Sequence, residues 1–335
     1  MNPKAALNPK ASPLLSIATL LTAMVSIQYG ATFAKKLFPL IGPVGSTGVR
    51  LTLATVILFM VWKPWRGPRL KRSEIKAIGL YGVSLGWMNL LFYEALVRIP
   101  LGPAVALEFT GPLSVALLLS RKKKDFLWVT LAAIGLLLLL PTGGTMGLDL
   151  IGCAFALGAG GCWAMYILFG QKAGSSSLSG GRITALGMFA ATLVILPVAL
   201  FQEGLKLFQP SFLPLALAVA LLSSAIPYTL EMSVLKKMPA KTFGILMSLE
   251  PAIAATLGLI FLSEKLYLSQ IFAIASIMAA SLGSALSNRN SKQENQKRSN
   301  CEGANLDPSA GSSEMSVVEL GSEPNPIENR VCHSD

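Results

Sequence analysis

Apolar runs of about 17 to 23 residues, each long enough to cross a hydrocarbon core of ~30 Å as a helix, recur along the chain between short polar clusters. They fall near 14–34, 44–62, 77–97, 101–120, 126–141, 149–170, 183–201, 212–235, 241–262 and 268–287. The fifth is shorter, about 16 residues, but Ala132 to Leu140 is so apolar that it fits a tilted span in a slightly thinned bilayer. The pattern predicts an all-α polytopic membrane protein with ten transmembrane helices. After Ser287 the chain turns polar, from Asn288 through Arg298, and then becomes rich in Gly, Ser, Pro and Asn. Such a segment, 288–335, has too little apolar surface to fold and reads as a disordered tail, with 314–320 as a short partner-binding helix in the alternative.

The runs also repeat. A shift of 139 positions carries Ile99-Pro100 onto Met238-Pro239, Gly111-Pro112 onto Glu250-Pro251 and Asp125 onto Glu264. A shift of 137 carries Tyr29 onto Tyr166 and Lys35 onto Lys172. Two five-helix repeats follow, 14–141 and 149–287. An odd helix number inserts the second repeat upside down relative to the first, the inverted topology that secondary transporters use for alternating access. A substrate site between the halves is the expectation.

Composition agrees, since 53% of residues are hydrophobic and only 13% charged, against ~25% charged in soluble domains. The formal net charge of +11 is dispersed in short clusters between apolar runs, so it orients the chain in the bilayer rather than binding nucleic acid. With the N-terminus in the cytoplasm, Lys4, Lys10, the group from Lys63 to Lys76, Arg121 to Lys124, Lys172, Arg182, Lys236, Lys237, Lys241 and Arg289 onward all lie inside. Only Lys35, Lys36, Arg98, Lys206 and Lys265 lie outside. Both termini are therefore expected to be cytoplasmic. A signal peptide is the rival reading of the first run, because Lys4 and Lys10 precede it and Ala31-Thr32-Phe33-Ala34 resembles a cleavage site. Nine further spans favour a retained helix.

Ionisable residues inside spans are costly, and they face cavities or partners. Arg50 lies in the second span, where it either snorkels to the interface or grips a carboxylate with its two-pronged guanidinium. Glu108 enters the fourth span from the same side at similar depth, so an Arg50–Glu108 ion pair and a pair that opens for a zwitterion are both possible. Glu250 is the deepest acid, beside Pro251. Desolvation disfavours a charged carboxylate, which makes Glu250 the candidate proton carrier, with a packing role as the alternative. Glu231 lies one turn from the cytoplasmic end of the eighth span, within reach of the Lys236 region, and Glu94 and Arg98 form an i,i+4 interfacial pair. Trp163 and Tyr166 share one face of the small-residue-rich sixth span, as cavity lining or as packing.

Cys153 and Cys162 share an apolar run, and Cys301 and Cys332 share the tail with His333. None has metal-ligand spacing, so no metal, cofactor or disulfide is expected. HExxH, GxSxG and P-loop motifs are missing, which argues against soluble catalysis and against ATP as the energy source.

Several runs are recognisable together: Tyr81-Gly-Val-Ser-Leu-Gly86, Pro100-Leu-Gly-Pro-Ala-Val-Ala-Leu-Glu-Phe-Thr-Gly-Pro-Leu113, Gly152-Cys-Ala-Phe-Ala-Leu-Gly-Ala-Gly160, Pro227-Tyr-Thr-Leu-Glu-Met232 and Met247-Ser-Leu-Glu-Pro-Ala252. They resemble the EamA family of the drug/metabolite transporter superfamily over residues 14 to 287. The resemblance implies a ten-helix carrier of a bacterial inner membrane that exports small amino acids such as threonine and homoserine on the proton gradient. Arg50, Glu108, Glu231 and Glu250 match charged positions of that pattern. Glu94, apolar in the resembled pattern, and the long tail depart from it. Efflux of another metabolite or an amphipathic cation, and a non-transporting membrane scaffold, are the rivals.

Overall fold

The computed structural model describes residues 13–118, 149–237 and 249–280, and isolated positions 127, 128, 130, 131, 134, 135, 138, 243, 246, 247 and 283. The chain divides into a helical unit, Met1–Ala285, and a second unit, Leu286–Asp335. The second unit lies outside the described residues, as do the 142–148 loop and the sequence-predicted tail with Cys301, Cys332 and His333. The predicted fifth span, 126–141, is described only at isolated positions.

Six helical stretches among the described residues are long and apolar enough to cross a membrane: Leu15–Ala34, Phe38–Trp62, Arg72–Arg98, Leu150–Gly174, Gly180–Phe208 and Pro210–Leu235. They contain helices α1 (Pro13–Ala34), α2 (Phe38–Trp62), α3 (Arg72–Arg98), α6 (Leu150–Gly174) and α7 (Gly180–Glu203), and the pair α8 (Leu213–Ala220) and α9 (Ile226–Leu235). Helices α4 (Leu101–Glu108) and α5 (Thr110–Leu118) divide the fourth predicted run. Two shorter apolar helices follow among the described residues, α10 (Glu250–Phe261) and α11 (Leu268–Ala280). The protein is an all-α polytopic membrane protein.

Local chemistry sets the boundaries. In α2 the backbone turns at Gly42, whose φ of +61° suits glycine, and Pro43 restarts the helix. Asp149 caps α6 by accepting the Gly152 N–H at 2.7 Å, and Glu74 returns to accept the Lys71 N–H at 2.8 Å at the start of α3.

Prolines do more than stop helices here, because each removes the N–H that the carbonyl four residues earlier would accept. Pro112 does this to Glu108, where α4 gives way to α5. Pro227 does it to Ser223, in a π-helical turn, Leu221–Ala225, that joins α8 to α9. The fourth and eighth predicted runs are thus interrupted helices.

Helix α3 packs along α6 and α7, α2 along α7, α1 along α9 and the π-helical turn, and α10 against α4 and α1. Glycines let α5 and the end of α4 sit against α6: a Cβ at Gly111 would overlap the Gly160 carbonyl, and one at Gly160 would come within 2.5 Å of the Glu108 carbonyl oxygen. Large apolar side chains such as Met60, Ile151, Leu193 and Phe201 are exposed on the outside, as a lipid-facing surface requires. The largest fully buried side chains include Arg50, Tyr81, Tyr93, Tyr166 and Tyr228, so the bundle centre is polar.

Candidate functional site

Arg50 reaches the bundle centre from α2 and is only 2% exposed. Its Nη1 donates to the Ser223 carbonyl at 3.2 Å, the acceptor that Pro227 leaves without its helical partner. Its Nη2 donates to Asn89 Oδ1 at 2.5 Å, and the guanidinium lies 4.5 Å from the centroid of the Tyr93 ring. All of these partners are neutral. The remaining Nε has no hydrogen-bond partner among the described residues.

Glu250, at the start of α10, accepts from Gln28 Nε2 at 2.8 Å through one oxygen, while its other oxygen has no partner among the described residues. Glu231 accepts the Tyr166 hydroxyl at 3.0 Å. Glu108 ends α4, against the glycine face of α6. Trp163 presents its ring edge-on to Phe109, with centroids 5.9 Å apart.

Arg50, Glu108, Glu231, Glu250 and Trp163 line one cavity with Gln28, Asn89, Tyr93, Ser223 and Tyr228. The empty space between them is about 470 Å³, including the part open to solvent. Tyr166 stands one layer behind, holding Glu231 and packed with tilted rings between Tyr81 and Tyr228 at centroid distances of 4.9 and 6.0 Å. The structure therefore brings together the six residues singled out from sequence.

Two of the pairings weighed from sequence are absent among the described residues. No ion pair joins Arg50 to Glu108; the described ion pairs are Lys35–Glu264, Arg98–Glu94 and Arg98–Asp149. Arg50 is drawn instead to the Asn89 amide and the freed Ser223 carbonyl, which meet it directly. Glu231 likewise bonds to Tyr166 rather than to Lys236, whose Nζ reaches the Ser176 and Leu178 carbonyls. The Glu94–Arg98 pair forms as expected, at 2.8 Å.

Gln28, Asn89, Tyr93, Ser223 and Tyr228 also line the cavity but carry no charge, so intramembrane charge in the sequence does not point to them. The available signal was neutral and polar: amides at 28 and 89 inside apolar runs, and two serines just before Pro227.

An interrupted helical bundle with a lipid-facing exterior and a charged, buried centre has the architecture of a membrane carrier. The model of the EamA-like transporter family matches residues 150–286. The Threonine/homoserine exporter RhtA of Escherichia coli (strain K12) is 52% identical over 276 residues, covering 82% of this chain and 92% of the relative. The Uncharacterized transporter YwfM of Bacillus subtilis (strain 168) is 27% identical over 233 residues, 67% of this chain and 77% of that one. A protein of known crystal structure shares the fold with a TM-score of 0.55 at 14% identity, over 81% of this chain and 99% of its own. The chain belongs to the EamA-like transporter family.

Proposed function

We propose that this protein is a secondary active exporter of small amino acids of the threonine and homoserine kind, acting across a bacterial inner membrane. It is a transporter and not an enzyme. The 52% identity to an exporter of those amino acids over most of both chains supports the substrate class. The observation that carries the mechanism is the buried Arg50, whose described partners are neutral, in one cavity with three carboxyls. An α-amino acid brings the complementary groups: a carboxylate for Arg50, and an ammonium for Glu108 or Glu250. Protons couple export when an acid, Glu250 in this reading, releases its substrate or Gln28 contact and takes up a proton in exchange.

Alternating access follows from two inverted five-helix repeats, 14–141 and 149–287, that supply ten spans with both termini cytoplasmic. The contacts support this symmetry. The Thr55 and Thr192 hydroxyls meet at 2.9 Å and are 137 positions apart, and Tyr228 OH donates to Asn89 Oδ1 at 2.9 Å over a separation of 139. These are the two offsets at which the halves align, so equivalent residues face each other as they would about a two-fold axis. Packing of α3 on α6 is likewise matched by packing of α1 on α9.

The test is transport in reconstituted vesicles loaded with a panel of amino acids. Threonine and homoserine should leave against a gradient when a pH gradient is imposed, and an uncoupler should stop them. Reporter fusions at Gly144 and Ser291, both outside the described residues, should read opposite compartments; a common compartment would rule out the ten-span topology. The excess of three carboxyls over one guanidinium in the cavity favours a second reading, efflux of amphipathic cations. Protection of cells against cationic dyes without protection against homoserine would select it.

A further inference from the structure

Asn89 occupies a position where a carboxylate would be the obvious partner for a buried guanidinium. Its side chain is 4% exposed and fully engaged: Oδ1 accepts from Arg50 Nη2 at 2.5 Å and from Tyr228 OH at 2.9 Å, while Nδ2 donates to the Leu85 carbonyl at 2.7 Å. The amide orientation is dictated chemically, because arginine can only donate and a carbonyl can only accept. An aspartate at 89 would match the shape, but its second oxygen would face the Leu85 carbonyl, acceptor against acceptor. The site thus takes an amide and resists an acid. Every other group holding Arg50 is neutral too, namely the Ser223 carbonyl and the Tyr93 ring. A buried charge is unfavourable until an opposite charge reaches it.

We propose that Asn89 is a specificity-determining residue: by giving Arg50 a neutral acceptor, it leaves the guanidinium without a directly bonded carboxylate and available to the carboxylate of the transported amino acid. The inference rests on the reading of Arg50 as the carboxylate anchor. Asn89 positions the fork without neutralising it, and Tyr228 holds Asn89 in place. A resident carboxylate at 89 would compete with the substrate for the same charge, so the carrier would stop distinguishing an amino acid from its amide.

The experiment compares the concentrations of threonine and of threonine amide that half-inhibit exchange of labelled threonine across reconstituted vesicles. The wild-type carrier should prefer threonine by at least about tenfold, the low end of what a close buried charge pair contributes. Asn89→Asp should bring that preference to within about twofold of unity, by weakening threonine rather than by strengthening the amide. Asn89→Ala, which removes the positioning bond without adding a charge, should reduce the preference by about threefold, as one lost hydrogen bond would. A role in packing alone would weaken both ligands together. An unchanged preference in Asn89→Asp overturns the proposal; should that protein fail to fold, an unchanged preference in Asn89→Ala does so. A wild-type carrier that does not distinguish acid from amide overturns the Arg50 reading and this inference with it, whereas a preference seen in wild type and kept in the variants removes Asn89 only.

Discussion

Arg98 and Arg50 carry the same group in opposite surroundings. Arg98, at the end of α3, bonds to Glu94 one turn back at 2.8 Å, has Asp149 3.9 Å away, lies over the Phe155 ring and is 33% exposed at its side chain. Arg50, at the bundle centre, has an amide, a carbonyl and a phenol ring for company, and no carboxylate within ion-pair distance among the described residues. Lys35 and Glu264 repeat the peripheral pattern, paired at 2.6 Å, while the second Glu264 oxygen accepts the Leu101 N–H at the start of α4. Charges at the ends of the helices satisfy one another and tie elements together. Charges at the centre are held in position by neutral groups and left open, which suits groups that must meet a visiting ion and then release it.

Substitutions can break this contrast, beginning at the centre. Arg50→Ala should lower export at saturating membrane levels by about a hundredfold or more, because the anchor for the carboxylate goes and Asn89 loses one of its two donors. Arg50→Lys, which keeps the charge without the fork, should recover only part of that, remaining about tenfold below wild type. At the periphery the readout changes from transport to stability. Glu264→Gln removes the charge pairing with Lys35 but keeps an oxygen for the Leu101 N–H, and should cost about 1–2 kcal/mol, seen as a lower melting temperature with export retained. Glu94→Leu breaks a more exposed pair and should cost at most about 0.5 kcal/mol, within error of wild type in both assays. Removal of the residues after Arg298 should change neither; lost export at normal membrane levels would make the tail a functional segment.

How much of this could be read from the chain depended on the kind of interaction. Span positions follow from apolar run length, and intramembrane charge identified Arg50, Glu108, Glu231 and Glu250 because each is costly in hydrocarbon. Pro112 and Pro227 stand inside the fourth and eighth runs, yet which donor takes the freed Ser223 carbonyl depends on α2 reaching the π-helical turn before α9, 173 positions away. Asn89 and Gln28 were missed for a related reason. A single amide in an apolar helix is an ordinary packing residue until the tertiary structure sets an arginine or a glutamate against it. The absent Arg50–Glu108 pair shows the same limit, since equal depth in two spans says nothing of the angle at which two side chains face each other.

Glu250 offers the most direct test that the open central charges serve coupled export. Its one oxygen is held by Gln28 and its other is unpartnered among the described residues, so Glu250→Gln keeps the shape and a hydrogen-bonding group while removing the titrating site. In vesicles reconstituted with this variant, export of threonine against its gradient under an imposed pH difference should fall to the level of protein-free vesicles, while downhill exchange of labelled threonine continues. Glu108→Gln should behave differently, raising the threonine concentration needed for half-maximal exchange. Full pH-driven accumulation by Glu250→Gln would contradict the assignment of the coupling proton to this residue.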